Sequence, residues 1–349
     1  MRVNVLREMM GEYDGFLLVN PKNIGYVIGF TPGFPALLFV PKRGEVVLVV
    51  SRGDAELARE NCKVRVEVAG ERGYARKLRE VAGGRLGRVM VEDSLEAGLL
   101  SRFREELPHV SFESSDVMMR VRSVKSKGEL ERIVRAARIA ERGLEAAVGM
   151  VDVGVRECEV AAEAEYAMRR AGAEGFPFDT IVASGKRGAN PHATCSTRRI
   201  RKGDLVVIDL GAKYGGYCSD VTRTVVLGGG KEKVEMLTAV IEAQEAAVNA
   251  VKPGVSAKEV DRAARSILEE RGYGECFTHS LGHGVGLDVH ELPHISPVSE
   301  AKLKEGMVFT VEPGVYILRV GGVRVEDMVV VEKRGAKVLT RRPKDLILS

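Results

Sequence analysis

Residues 205–227 read LVVIDLGAKYGGYCSDVTRTVVL, two β-rich segments separated by a short turn that contains glycine. Strand-forming residues on both sides of such a turn predict an antiparallel hairpin. A two-residue turn at 214–215 would place Asp209 directly opposite Asp220, with the Cβ atoms about 5 Å apart. Two carboxylates about 4 Å apart repel each other by roughly 4 kcal/mol at an effective dielectric constant near 20. We therefore expect a positive charge between them.

A second pair of carboxylates lies in a similar pattern near the end of the chain. Residues 309–313 and 323–327 flank a loop centred near Arg319, and this spacing places Glu312 opposite Glu326. The register of so irregular a loop is less strictly specified than that of a tight turn. One such hairpin could be neutralised by a neighbouring arginine, whereas two of them, one in each half of a repeated region, indicate bound cations.

A histidine between glycines completes the candidate site. His283 lies in the segment GHGVG at 282–286, and glycines on both sides allow a close approach to a site. Four carboxylates neutralise two divalent cations, and oxygen ligands with one imidazole suit manganese, cobalt or iron, while zinc would also fit. Paired cations turn water into a hydroxide nucleophile near neutral pH and polarise a carbonyl group. The predicted ligands are Asp209, Asp220, His283, Glu312 and Glu326.

Six short motifs resemble those of the proline-specific metallopeptidases of family M24, the prolidases (Xaa-Pro dipeptidases) and the Xaa-Pro aminopeptidases. They are IDLG at 208–211, SDVTRT at 219–224, HSLGHGVGL at 279–287, VHE at 289–291, VEPG at 311–314 and VRVED at 323–327. The resemblance is greatest for the short prokaryotic prolidases and extends over nearly the whole chain. It implies an α+β protein with a pita-bread (creatinase/aminopeptidase-like) catalytic domain at 123–349. It also implies a smaller N-terminal α/β domain of the creatinase/prolidase type at 1–122, and a homodimer.

The resemblance also implies a role for each ligand in a centre with two divalent ions per subunit. Asp209 would chelate one ion, Asp220 and Glu326 would bridge both, and His283 and Glu312 would bind the other. Glu312 would in addition take a proton from the bridging water and give one to the leaving proline nitrogen. The implied reaction is hydrolysis of Xaa-Pro dipeptides by a hydroxide held between the ions.

Five further residues are expected around this centre. The family places a cleft histidine at His192, which helps bind the substrate and stabilise the transition state, and another near the scissile carbonyl at His290. Arg324 and Thr222 are expected to hold the ligating carboxylates from behind. Phe178, in the segment PFDT, fits either the wall of a proline pocket or an ordinary core position.

One position departs from the family pattern. Prolidases commonly follow the VHE motif with an arginine that helps hold the terminal carboxylate of the substrate, and here that position is His294. A neutral imidazole offers one donor where arginine offers a bidentate pair, although a protonated His294 could still bind the carboxylate. The substitution leaves open an Xaa-Pro aminopeptidase that accepts longer peptides.

Composition argues against several other classes of protein. The 349 residues suggest about two domains, and 53 basic against 49 acidic residues give a net charge of only +4, with no basic block typical of nucleic-acid binding. The apolar segments are too short for a membrane span, and the N-terminus lacks an apolar signal region, so we expect a cytoplasmic protein. Five cysteines without a CxxC pair predict reduced thiols rather than a disulfide framework or a zinc knuckle.

The two parts of the chain differ in pattern. Residues 1 to about 120 alternate short strands with helices and contain no catalytic constellation, which predicts a structural or dimerisation domain. Ser126 and Glu129 form a capping-box pattern before a long amphipathic helix. The pattern at 154–172 recurs 100 residues later at 254–272, which suggests a pseudo-two-fold domain with a shared sheet and a cleft between its halves.

Three other functions are compatible with the same fold. A methionine aminopeptidase is disfavoured by the additional N-terminal domain and by the VHE motif. Creatinase-like relatives catalyse without a metal, and some relatives are non-catalytic peptide-binding modules. Both should lack several ligands, whereas this chain retains all five. The resemblance therefore favours a catalytic protein that acts on proline-containing dipeptides or short peptides.

Overall fold

The computed structural model describes residues 2–70, 73–83 and 86–348, and the chain divides into two compact units, residues 1–121 and 122–349. The predicted boundary lies one residue later, between 122 and 123. Within the described residues, no helix combines the length and the apolar composition needed to cross a membrane.

The first unit is built on a six-stranded mixed sheet. Its strands are β1 (Gly15–Leu18), β2 (Leu37–Pro41), β3 (Val47–Val50), β4 (Arg65–Val68), β5 (Arg88–Glu92) and β6 (Ser111–Ser115), in the order β4-β3-β2-β1-β5-β6. The helices are α1 (Val3–Met9), α2 (Pro21–Ile28), α3 (Ala55–Asn61), α4 (Gly73–Ala82), α5 (Ala97–Glu106) and α6 (Val117–Ser123). The predicted alternation of strands and helices is confirmed. Sequence reasoning missed α1, α2 and α6, because a helix of two turns shows little periodicity.

The second unit begins with a helix pair that recurs later in the chain. Its helices are α7 (Lys127–Met150), α8 (Glu157–Arg170), α9 (Lys231–Ala250) and α10 (Ala257–Glu270). The predicted capping box opens α7, because the Glu129 carboxylate accepts the Ser126 backbone N–H at 3.0 Å. The same arrangement of Ser256 and Glu259 opens α10. The repeat seen in the sequence is therefore a repeat of helix pairs.

The strands of the second unit form two main sheets. They are β7 (Ile181–Ser184), β8 (Leu205–Leu210), β9 (Lys213–Tyr214), β10 (Tyr217–Cys218), β11 (Val221–Leu227), β12 (Gly282–Gly284), β13 (Glu291–Ile295), β14 (Val308–Val311), β15 (Gly314–Ile317), β16 (Gly321–Arg324), β17 (Asp327–Glu332), β18 (Gly335–Val338) and β19 (Leu346–Leu348). One sheet has the order β19-β11-β8-β7 and the other β13-β12-β14-β17-β18, while β9-β10 and β15-β16 form two-stranded ribbons. The expectation of a single shared sheet is wrong. The strands of the two halves meet instead through the Glu326 N–H, which donates to the Thr222 carbonyl at 3.1 Å.

The hairpin of β8 and β11 differs in register from the prediction. Asp209 lies opposite Thr222 rather than Asp220. The turn is formed by Gly215 and Gly216, with φ of +56° and +78°, because type I′ turns require positive φ at both central positions. The turn therefore lies one residue later than predicted, and Asp220 lies just before β11 instead of within it. A two-residue change in pairing keeps each side chain on the predicted face of the hairpin.

The register of the second hairpin is as predicted. Val311 pairs with Asp327 at the end of β14 and β17, and β15 and β16 continue the same register around a loop that contains Arg319. Glu312 and Glu326 lie level with each other at the break between the two ladders. There the Glu312 N–H donates to the Leu281 carbonyl at 2.9 Å instead of to the opposite strand.

The capping box of α7 provides a test of local stability. Ser126→Ala removes the hydroxyl that caps the helix, so we expect the free energy of unfolding to fall by about 1 kcal/mol. Ser126 is exposed, so Ser126→Thr retains the capping oxygen without a steric penalty and serves as the matched control. Urea denaturation would measure both variants. An alanine variant as stable as the threonine variant would show that the cap contributes nothing.

Candidate metal centre

One cavity of about 590 Å³ in the second unit collects the predicted site residues. A volume of this size is typical of ligand pockets in proteins. The predicted residues in its lining are Phe178, His192, Asp209, Asp220, His283, His290, His294, Glu312, Arg324 and Glu326. The remaining one, Thr222, is fully buried behind them and donates its hydroxyl to Glu326 Oε2 at 2.6 Å. The structure therefore brings together side chains that are up to 148 residues apart in the sequence, Phe178 and Glu326.

The five predicted ligands come from both halves of the unit. Asp209 belongs to β8 and Asp220 immediately precedes β11, so both come from the four-stranded sheet. His283 belongs to β12, whereas Glu312 and Glu326 lie at the break between the ladders of the second hairpin. The two acidic hairpins therefore face one cavity, which is the arrangement needed to bind a cation between them.

Unsatisfied carboxylate oxygens identify where cations would bind. Asp209 Oδ1, Asp220 Oδ1 and Glu326 Oε1 are buried and have no hydrogen-bond partner among the described residues. Ligand atoms of Asp220, His283 and Glu326 lie within 4.8 Å of one another. Burying a charged oxygen without a partner is costly, and carboxylates with an imidazole are the donors that divalent transition metals accept. The side chains present therefore fit a metal centre.

The pKa values of the carboxylates show that negative charges lie close together in the cavity. Burial, together with the charges of Glu326 and Asp209, raises the pKa of Asp220 well above its usual range. Burial and the charges of Glu312 and Asp209 likewise raise the pKa of Glu326. Glu312 is the exception: burial opposes its ionisation, but a hydrogen bond from His283 and the charge of that imidazole lower its pKa to about 2. The cluster is therefore short of positive charge on the side of Asp220 and Glu326.

The imidazole of His283 is oriented by its backbone surroundings. Its Nδ1 lies 3.2 Å from the Gly284 carbonyl, and this contact leaves Nε2 facing the carboxylates of the cavity. Nε2 lies 3.2 Å from Glu312 Oε1 and 3.7 Å from Asp220 Oδ2. The need for glycine beside it is steric, because a Cβ on Gly282 would lie 2.0 Å from the Thr310 carbonyl oxygen. The glycine at 282 therefore allows β12 to pack closely against β14, in addition to placing His283 at the site.

Arg324 holds the centre from behind. Its guanidinium is almost fully buried and donates from Nη2 to Asp209 Oδ2 at 2.5 Å and from Nη1 to the Tyr316 hydroxyl at 2.8 Å. Its Nε donates to the Thr222 hydroxyl at 3.2 Å, and that hydroxyl in turn donates to Glu326. Arg324 and Thr222, which were predicted to support the proposed ligands, therefore contact Asp209 and Glu326. Asp209 Oδ2 is occupied by Arg324, whereas Asp209 Oδ1 has no hydrogen-bond partner among the described residues.

Two residues of this network were missed from the sequence. The His279 Nδ1–H donates to the Ser280 carbonyl at 2.8 Å, so His279 Nε2 accepts the Tyr316 O–H at 3.0 Å. Burial raises the pKa of Tyr316 to about 12 and lowers that of His279, so both groups are neutral at pH 7. His279 could have been flagged because it lies in the same motif as His283. Tyr316 has no local signal, since its partners, His279 and Arg324, lie in other segments of the chain.

Three histidines line the open side of the cavity. His290 stacks edge-on against His283 with ring centroids 4.2 Å apart, and burial together with His283 lowers its pKa, so it is neutral at pH 7. His294 lies opposite His283 in the pairing of β12 and β13. His192, His290 and His294 are exposed, whereas Phe178 is half-buried and contributes an aromatic wall. The arrangement combines a candidate metal centre with imidazole groups and an apolar surface.

The acidic centre and its α+β framework are those of a metal-dependent hydrolase. The chain belongs to metallopeptidase family M24, since the sequence pattern of that family matches residues 131–333. The pattern of the creatinase/prolidase N-terminal domain matches residues 2–124. The protein is thus a metallopeptidase, and membership of this family implies the use of divalent metal ions.

Similar proteins support the same assignment. The Xaa-Pro dipeptidase of Pyrococcus furiosus is 43% identical over 353 residues, which cover 99% of each chain. The crystal structure of the prolidase from Pyrococcus horikoshii OT3 matches with a TM-score of 0.94 and 40% identity over 99% of each chain. The X-Pro aminopeptidase from Thermotoga maritima matches with a TM-score of 0.89 and 35% identity over 100% of this chain and 99% of that one. These matches confirm the predicted pita-bread fold.

Charge repulsion in the centre predicts an unusual effect of mutation on stability. A carboxyl pKa that is raised in the folded state means that stability is lost as the pH rises above about 4, the ordinary value for aspartate. We therefore expect Asp220→Asn to raise the free energy of unfolding of the chelator-treated protein at pH 7 by about 1–3 kcal/mol.

Thermal unfolding with and without a chelator would measure this effect. Added divalent metal should raise the midpoint of the wild-type protein more than that of the variant. Asp345→Asn, at an exposed position outside the cavity, is the matched control and should change neither value. A chelator-treated Asp220→Asn protein that is less stable than the wild type would contradict the repulsion argument.

Proposed function

We propose that the protein is a prolidase, which hydrolyses Xaa-Pro dipeptides with two divalent ions per subunit, of manganese, cobalt, iron or zinc. The observation that carries the proposal is the convergence of three unsatisfied carboxylate oxygens and His283 in one cavity. The names of the Pyrococcus relatives supply the substrate class. The oxygen-rich donor set with a single imidazole supports the choice of metals.

The proposed ligands are Asp209, Asp220, His283, Glu312 and Glu326. When bound, two divalent cations would supply the positive charge that polarises the scissile carbonyl and lowers the pKa of water. Glu312, with its pKa of about 2, is ionised at neutral pH and is proposed to accept the proton of the attacking water. It would then deliver a proton to the proline nitrogen, which leaves more readily when protonated.

The rest of the cavity is proposed to position the dipeptide. His192 and His290 would donate hydrogen bonds to the substrate near the scissile carbonyl. His294, across the ladder from His283, would contact the terminal carboxylate, and Phe178 would pack against the proline ring. Arg324 and Thr222 would keep Asp209 and Glu326 in their orientations through the hydrogen bonds described above.

Neutralising a proposed bridging ligand should abolish activity. Glu326→Gln keeps the shape of the side chain but removes a negative charge that would hold the divalent ions, so hydrolysis of an Xaa-Pro dipeptide should fall by at least about a thousandfold. Circular dichroism should show an intact fold. The control is Glu245→Gln, at a position outside the cavity, which should retain full activity. Full activity in Glu326→Gln would contradict the two-metal proposal.

An Xaa-Pro aminopeptidase that acts on longer peptides is the second candidate. Two observations favour it: His294 stands where prolidases commonly have arginine, and the Thermotoga maritima X-Pro aminopeptidase has the same fold. Hydrolysis of an Xaa-Pro dipeptide should be compared with that of an Xaa-Pro-Xaa tripeptide by the manganese- or cobalt-loaded protein. Cleavage of the dipeptide alone supports a prolidase, whereas efficient cleavage of the tripeptide supports the aminopeptidase.

Changing His294 to arginine should shift this preference. The guanidinium offers a bidentate contact to the terminal carboxylate of a dipeptide, which a single imidazole ring cannot make. We expect His294→Arg to raise the ratio of dipeptide to tripeptide hydrolysis by about tenfold. His294→Gln, which keeps one donor, is the control and should leave the ratio near that of the wild type. The same ratio in the arginine variant would contradict the proposed placement.

The homodimer and the domain limits 1–122 and 123–349 are also part of the proposal. They rest on the resemblance to family M24. Light scattering of the purified protein would measure the molecular mass, and a value near 76 kDa, twice the 37.9 kDa of the chain, is expected.

A further inference from the structure

Asp179 is the carboxylate of the cavity that the metal centre does not use. Five acidic side chains line the cavity, and four of them belong to the proposed ligand set. The fifth, Asp179, is exposed, and no hydrogen bond or ion pair is found for it within the described ranges. An exposed aspartate carries a negative charge at neutral pH. The cavity therefore offers an ionic contact to a cation in addition to the metal centre.

The topology places Asp179 on one side of the centre. It lies two residues before Ile181, which pairs with Asp209 in the ladder of β7 and β8. His290 directly precedes β13 and His294 lies within it, so both imidazoles come from the other sheet. The negative charge and the proposed carboxylate contacts of the substrate are thus supplied by different halves of the catalytic unit.

Bond geometry indicates which substrate cation would reach Asp179. The α-ammonium nitrogen of a dipeptide lies only about 2.5 Å from the scissile carbonyl carbon, so it stays beside the reacting centre. Asp179 precedes Ile181, the partner of Asp209, by two residues, and two residues of chain span at most about 7 Å. A lysine or arginine side chain before proline extends across such a distance, whereas the α-ammonium group does not.

We propose that Asp179 is a specificity-determining residue that favours a basic residue before proline, and this inference rests on the proposed Xaa-Pro hydrolysis. The one guanidinium in the lining as described, that of Arg324, is already engaged by Asp209, Tyr316 and Thr222. A neutral side chain before proline would gain nothing from Asp179. An acidic side chain would be repelled by it.

The test compares kcat/KM for Lys-Pro, Met-Pro and Glu-Pro in the manganese-loaded wild type and in Asp179→Asn. Lysine and methionine have similar lengths, so their ratio isolates the charge. We expect the ratio of Lys-Pro to Met-Pro to fall about two- to fivefold in the variant, and the effect to weaken at 1 M salt. Asp345→Asn removes an exposed charge outside the cavity and should leave the ratio unchanged.

Charge reversal separates an electrostatic contact from a structural role. Asp179→Arg should raise the ratio of Glu-Pro to Lys-Pro above that of the wild type, which a loss of packing would not do. If Asp179→Asn folds poorly, Asp179→Ser gives the same comparison. A Lys-Pro to Met-Pro ratio that is unchanged in the neutral variants overturns the inference while Xaa-Pro hydrolysis stands. Failure of the wild type to cleave any of the three dipeptides overturns the proposed function itself.

Discussion

Repulsion between four carboxylates that share one cavity is the constraint on which the catalytic unit depends. Asp209, Asp220, Glu312 and Glu326 all line the same cavity, and the described surroundings supply the charges of Arg324 and, when it is protonated, His283. Folding therefore assembles a centre with excess negative charge, which divalent cations would neutralise. Such a centre lowers the stability of the metal-free protein, because the carboxylates repel one another, as is typical of functional sites.

Buried ion pairs outside the centre hold its two halves in place. Arg223, fully buried in β11, donates to the Glu326 carbonyl and to Asp327 Oδ1, which fixes the backbone beside a proposed ligand. Glu291 of the VHE motif is likewise buried, with Lys125 Nζ at 2.6 Å and a close contact to Arg122. Removing one partner of a buried pair leaves an uncompensated charge, so these pairs impose a defined geometry on the neighbouring site residues.

The pseudo-two-fold organisation explains why the site has unlike sides. Each half contributes one acidic hairpin, but the residues next to the hairpins differ: Asp179 precedes β7, whereas His290 and His294 accompany β13. The contacts proposed for the substrate therefore differ between the two sides: Asp179 would favour a basic side chain before proline, and the imidazoles would contact the carbonyl and carboxylate groups. Sequence divergence between the two repeated halves thus gives the cavity two chemically different sides without changing the framework.

The sequence by itself determined the features that depend on local patterns and on paired charges. The alternation of strands and helices in the first unit and the long helix α7 follow from periodicity, although the short helices α1, α2 and α6 do not. The capping box at Ser126 follows from spacing, and the register that places Glu312 level with Glu326 follows from the symmetry of its hairpin. The four proposed carboxylate ligands could be chosen because paired carboxylates in a hairpin need a cation, and His283 because glycines flank it. The roles of these residues stay predictions, although the structure brings them into one cavity.

Only the tertiary structure decided the features that depend on backbone torsion or on distant partners. The turn lies at Gly215 and Gly216 rather than at the predicted positions 214–215, because both central residues need positive φ, which glycine adopts more readily than tyrosine. This position shifts the pairing of Asp209 by two residues. The separation into two sheets and the contact of Arg324 with Tyr316 and Asp209 were likewise absent from local patterns. Hydrogen bonds between residues more than a hundred positions apart leave no periodic trace in a single sequence, and only folding shows which side chains meet.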